Sequence, residues 1–255
     1  MRTPLTLTAD RRTRRAWDCE GAASGASSAG AQAKRSLLVN ACAWVATLVV
    51  AFGVAGCAGG PKAPDWRINA IGHVERFTEA YLKGDNRVEA REFELARAET
   101  ARTGRPELVA RIELNRCAAR VASLVLEPCA GFEPLRPDAG AEERAYANYL
   151  EGVATPADVA LLPEHHRRIA QGSRSVKGMA EPFARLVAAG VLLTRREATP
   201  ELVAEAVETA SEQGWRRPLL AWLGVQARLA DERGDTAEAD RTRRRMALVQ
   251  PAPNR

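Results

Sequence analysis

Histidines, serines and paired carboxylates are the side chains that most often do metal, nucleophilic or acid–base chemistry, and in this chain they are few or poorly spaced. His165 and His166 are adjacent in "PEHHRR" (163–168). On a helix, neighbouring rings diverge by about 100°, so the pair cannot share one ion and lacks the one-turn separation of a zinc-binding helix. The pattern predicts a solvated first turn after Pro163. His73 flanks an apolar stripe carrying Ile71 and Val74 and reads as a boundary residue. From residue 57 onward the serines are Ser123, Ser173, Ser175 and Ser211, with no Gly-x-Ser-x-Gly turn and no Ser-x-x-Lys pair. A glycine-rich phosphate loop and a Cys-x-x-Cys pair are also missing from the sequence. Carboxylates are plentiful, as in "EAREFELARAE" (89–99), but arginines interleave with them at helical spacing, the pattern of a salt-bridged, solvated face. No catalytic residue, metal or cofactor is therefore expected.

One cysteine is distinguished by its surroundings. Val54-Ala55-Gly56-Cys57 closes the segment "SLLVNACAWVATLVVAFGVAGC", about twenty apolar residues directly after Lys34-Arg35, a length able to span a bilayer. A basic segment, an apolar segment and a small-residue site make up an export signal. As an uncleaved anchor, the same segment would also place the rest of the chain outside the cytoplasm, because Lys34-Arg35 and the upstream arginines favour staying inside. Residues 1–35 are rich in Arg, Ala, Ser and Gly, lack periodicity and predict a disordered basic leader; residues 36–56 form the apolar signal segment and 57–65 a Gly/Pro tether.

"VAGC" resembles the lipobox of bacterial prolipoproteins. The resemblance implies cleavage between Gly56 and Cys57, a diacylglyceryl group on the Cys57 sulfur, and acylation of the freed amino group. Two or more acyl chains hold a protein durably on a membrane where one does not. The resemblance thus implies a membrane partner through a lipid anchor and a periplasmic face in the cell envelope. Ala58 stands where an aspartate retains enterobacterial lipoproteins at the inner membrane, which favours the outer membrane.

Setting the leader aside changes the charge balance. The chain carries 37 Lys+Arg and 32 Asp+Glu, and residues 1–56 hold seven of the former and three of the latter, leaving 30 against 29. A near-neutral body lacks the net basic face a nucleic-acid partner requires, so none is expected. Of five cysteines, Cys117 and Cys129 alone lie in the body. In an oxidising compartment they predict a disulfide. Cys117 also falls on an apolar helix face with Leu114, Val121 and Leu124, where a small buried hydrophobe would serve as well.

Proline at likely first-turn positions (Pro106, Pro156, Pro163, Pro182, Pro200, Pro218) and glycine at likely ends (Gly84, Gly104, Gly152, Gly172, Gly214, Gly234) punctuate residues 66–255 as an all-α body. Ile71, Val74, Phe77 and Tyr81 repeat at three and four, as do Ala110, Leu114, Cys117, Val121 and Leu124. Nine helices are expected, near 66–83, 87–103, 106–125, 140–151, 156–161, 164–171, 180–196, 200–213 and 217–249, the last broken at Gly234-Asp235. A sub-boundary is possible near 172–180.

"PFARLVAAGVLL" from Pro182 and "PLLAWLGVQARL" from Pro218 lie thirty-six residues apart with Phe183/Leu219, Leu186/Trp222, Val187/Leu223 and Leu193/Leu229 in register. A helix pair repeated near this spacing resembles the tetratricopeptide class, although Arg243 and Met246 replace that motif's aromatic and small residues. The fold class predicted is an irregular helical-hairpin stack, tetratricopeptide-like toward its C-terminus. Partner-binding candidates are Trp215 and Trp222, as a Trp-lined groove, and Arg243, Arg244 and Arg245, the densest basic patch of the body. The expected function is a lipid-anchored, non-catalytic scaffold for an envelope protein or peptide; the alternative is a cell-wall hydrolase or its accessory subunit.

Overall fold

Proline and glycine set where the helices begin and end. The computed structural model describes residues 63–250, so Gly56, Cys57 and the leader lie outside the described residues. Among those described there are ten α-helices and no strand. They are α1 (Asp65–Lys83), α2 (Asn86–Ala101), α3 (Pro106–Ala122), α4 (Ala141–Leu150), α5 (Pro156–Val159), α6 (Glu164–Ala170), α7 (Pro182–Thr194), α8 (Pro200–Glu212), α9 (Arg216–Glu232) and α10 (Thr236–Val249). A 3₁₀ turn, Glu133–Leu135, interrupts the connection between α3 and α4.

Pro106, Pro156, Pro182 and Pro200 each open a helix. Pro163 instead precedes α6, and Pro218 lies two residues into α9, still within the first turn whose N–H groups have no helical acceptor. At the α8 end, Gly214 has φ +65, its N–H donates to Ser211 O, and Trp215 N–H donates to Ala210 O. This paired closure needs a left-handed residue at the glycine position. Leu124 and Arg196 adopt the same conformation without being glycine (φ 59 and 60), ending α3 and α7 earlier than expected.

The helices pack as hairpins. In the α1–α2 pair, Phe77 and Phe93 meet edge to face at 5.7 Å, with Val74, Ala96 and Ile112 around them. Helix α3 runs through the middle and crosses α7 closely: a Cβ at Gly190 would lie 2.4 Å from Val121 O. The α7–α8 and α9–α10 hairpins bury the register pairs Phe183/Leu219, Leu186/Trp222 and Val187/Leu223. Their second helices are capped alike, Thr199 accepting from Leu202 N–H and Asp235 from Glu238 N–H, thirty-six residues apart. The main core runs from Tyr81 to Leu223 and takes in Val176 and Met179 from the 171–181 connection. Among the described residues, no helix is long and apolar enough to cross a membrane.

Candidate functional site

Helix α1 presents Glu75, Thr78, Glu79 and Leu82 at intervals of three and four, a single face. That face forms one wall of a cleft of about 510 Å³. Opposite it stand Glu181, Pro182 and Phe183 at the start of α7, with Gln213 and Trp215 from the α8–α9 turn, and Val88 of α2 closes one end. The volume falls within the range of ligand pockets.

The closed α8 end fixes Trp215, because the backbone bond to Ala210 turns the chain so that the indole meets Phe183 edge to face at 6.5 Å. Its Nε1–H donates to Glu79 Oε2 at 3.0 Å, and Lys83 Nζ pairs with Glu79 Oε1 at 2.9 Å. Nearby, Arg217 donates to Tyr81 O at 2.7 Å and lies over the Tyr81 ring, joining α9 to α1 behind the cleft. Phe183 and Trp215, both over nine-tenths buried, thus meet the cleft by firmly held edges beside charged groups.

Several sequence expectations meet different fates. Cys117 and Cys129 are joined as a disulfide with Cα atoms 5.7 Å apart, a separation such a bond spans. Trp215 lines the cleft, but Trp222 does not: it is fully buried and donates Nε1–H to Ala122 O at 3.1 Å. That corrects the grouping of the two as one surface. Both tryptophans belong to the main core, and Trp215, 4 % exposed, reaches the cleft only by its edge. Arg243, Arg244 and Arg245 are exposed on α10 and do not line the cleft. Arg243 is already paired with Asp231 at 2.6 Å and Asp240 at 3.1 Å.

His166 is also corrected. It is completely buried between Tyr146 and Tyr149, and its Nδ1 lies 3.0 Å from Tyr149 Oη. Burial holds its pKa well below the usual histidine value and, to a lesser extent, that of the half-buried His165. The same burial pushes both tyrosine hydroxyls up. His73 sits at the boundary, its Nδ1 2.7 Å from Glu92 Oε2, and this bond with Arg76 beside it keeps the Glu92 carboxyl low.

The buried carboxylates Glu89, Glu113 and Glu143 are each paired across helices, with Arg116 (2.7 Å), Arg97 (2.9 Å) and Arg111. None of the three lines the cleft. A second hollow of about 380 Å³ beside Cys129 holds Glu133 and Glu151, both bound by Arg136. Arg136 holds the Glu133 carboxyl low, the opposite of what a general acid needs. Among the described residues, no group of His, Cys, Asp and Glu could hold a metal ion.

Glu75, Glu181, Leu82 and Val88 carried no signal as site residues, because their meeting depends on contacts between α1 and segments over a hundred residues away. His166 did carry one: Leu162, His166 and Ile169 recur at four and three, a buried stripe in which the histidine takes an apolar place. Compared with family models, curated proteins and solved structures, the chain matches none of them.

Proposed function

We propose that the protein is a lipid-anchored cell-envelope scaffold that binds a protein or peptide partner without catalysis, using the cleft between α1, α7 and the α8–α9 turn. The observation that carries this is the cleft itself: an open hollow of about 510 Å³ bordered by the edges of two firmly packed aromatic rings, with charged groups beside them. Aromatic anchors in a well-packed hollow are the usual energetic centre of a protein interface. The anchor follows from "VAGC", with Cys57 lipidated and Gly56-Cys57 the cleavage point, and Ala58 favouring the outer membrane.

Site-specific photocrosslinking in cells tests the binding half. A photoreactive residue at Val88 or Gln213 should give a discrete adduct that the same residue at Val153, which is 61 % exposed and outside the cleft, does not. Identical adduct patterns at all three positions, or none at Val88 and Gln213, would remove the cleft as the binding site. For the anchor, Cys57→Ala should abolish fatty-acid labelling and release the body from the outer-membrane fraction; undiminished labelling would rule it out.

A further inference from the structure

The charges around the cleft are unevenly satisfied. Four carboxylates line it, Glu75, Glu79, Asp85 and Glu181, against two cations, Arg76 and Lys83. Both cations are already engaged: Arg76 Nε pairs with Glu92 at 2.7 Å, and Lys83 with Glu79 at 2.9 Å. Glu79 also accepts from Trp215, and Asp85 accepts from Val88 N–H as the cap of α2. What remains is Glu75 and Glu181, neither ion-paired among the described residues, although Glu181 acts electrostatically on His165. The apolar lining beside them is Val88, Pro182 and the edges of the buried Phe183 and Trp215.

Resting on the binding reading above, we propose that the occupant is a cationic, apolar peptide segment. An aliphatic or aromatic side chain enters over Phe183 and Trp215, and a lysine or arginine beside it lies between Glu75 and Glu181. An anionic partner is disfavoured by four carboxylates, and a neutral apolar one would cover Glu75 and Glu181 without pairing them, a desolvation cost with no return. Each pairing is partly solvent-exposed, and two pairings in the middle of the range for exposed ion pairs correspond to roughly a five- to tenfold preference.

The test uses the full lipidated chain in zwitterionic phosphatidylcholine nanodiscs and three fluorescein-labelled peptides of one apolar pattern, Lys-Leu-Phe-Lys-Leu-Lys and its all-Gln and all-Glu versions. Fluorescence anisotropy should give affinities in the order lysine, glutamine, glutamate, the first about five- to tenfold tighter than the second at low salt. A Glu75→Gln/Glu181→Gln double variant, with both changes at the surface and folding checked by circular dichroism, should bring the lysine and glutamine peptides level. Equal affinity of all three for the native protein, or a lysine preference unchanged in the double variant, would overturn the proposal. Equal binding of all three that Val88→Glu abolishes would leave the cleft as a binding site and refute its charge selectivity alone. No binding of any peptide would also overturn the proposal, and the crosslinks from Val88 and Gln213 would then decide the binding reading separately.

Discussion

The interior around Trp222, Tyr146, Tyr149 and His166 and the cleft bordered by Phe183 and Trp215 use the same kind of side chain, aromatic rings with polar edges. They differ in what those edges meet. In the interior, Trp222 is satisfied by one backbone carbonyl and Tyr149 by His166, while Tyr146 Oη and His166 Nε2 find no partner among the protein's atoms. Burial is the largest influence on Tyr146, Tyr149 and His166 and favours their neutral forms. In the cleft, Trp215 instead meets a carboxylate that also binds a lysine. The rings around His166 are sealed within the core, whereas the edges of Phe183 and Trp215 border a cleft lined with charge, where another molecule can meet them.

Separating the two tryptophans gives the largest effect. Trp222→Ala should lower stability by about 3–5 kcal/mol, because it empties a fully buried volume and strands Ala122 O. Trp215→Phe keeps an aromatic ring against Phe183 and gives up the bond to Glu79 and part of a buried indole's volume, so its loss should be smaller, about 1–2 kcal/mol. Urea unfolding midpoints decide between them, and equal losses would erase the distinction drawn here.

The cover of the interior is next. The Cys117–Cys129 bridge closes a loop of about a dozen residues, which the chain-entropy view values at roughly 3 kcal/mol, and it pins the segment carrying the buried Phe132. Cys117→Ser/Cys129→Ser should therefore lower the unfolding midpoint and raise hydrogen exchange in residues 124–132. Peptide binding in the cleft should be unchanged. Faster exchange in 75–88 of the same variant would mean that the regions are not independent.

The buried histidine makes the interior sensitive to pH. His166 takes up a proton near pH 6.5 when unfolded but only far lower when folded, so the stability it contributes is fully present above pH 6.5 and is lost as pH falls below that value. Each unit of pH below 6.5 should cost about 1.4 kcal/mol, with His165 acting in the same sense. The lowered carboxylates Glu92 and Glu133 lose their contribution only as pH falls through the carboxylate range, below this window. Unfolding curves at pH 7 and 5.5 should differ accordingly, and His166→Phe should flatten the difference; an unchanged slope would place the sensitivity elsewhere.

Much of this fold is legible in the sequence because helix ends are decided locally. Gly84, Gly152 and Gly214 close helices through bonds confined to a single turn, and Thr199 and Asp235 open them the same way. Of the thirty-six-residue register, Phe183/Leu219, Leu186/Trp222 and Val187/Leu223 are buried and Leu193/Leu229 is partly buried. The cleft is not legible, since Glu79 and Trp215 are 136 residues apart and nothing local in either stretch announces the other. The polarity of His166 conceals its buried place between Leu162 and Ile169, and its partner Tyr149 comes from another helix.

The smallest effect concerns the helix ends that carry no glycine. Leu124 and Arg196 both hold the left-handed conformation, which costs a residue with a Cβ on the order of 1 kcal/mol. Leu124 offsets this by packing on the core, whereas the Arg196 side chain is exposed. Glycine at each site relieves the same strain but removes very different contacts. Arg196→Gly should therefore stabilise by about 0.5–1 kcal/mol, less whatever the extra freedom of glycine returns to the unfolded chain. Leu124→Gly should destabilise, because lost burial outweighs the relief. Paired unfolding midpoints of opposite sign would show that the interior is held by packing strong enough to impose an unfavourable backbone. Two increases would mean that Leu124 contributes little there, and the contrast between a sealed side and an open one would have to rest on Trp222 and His166 alone.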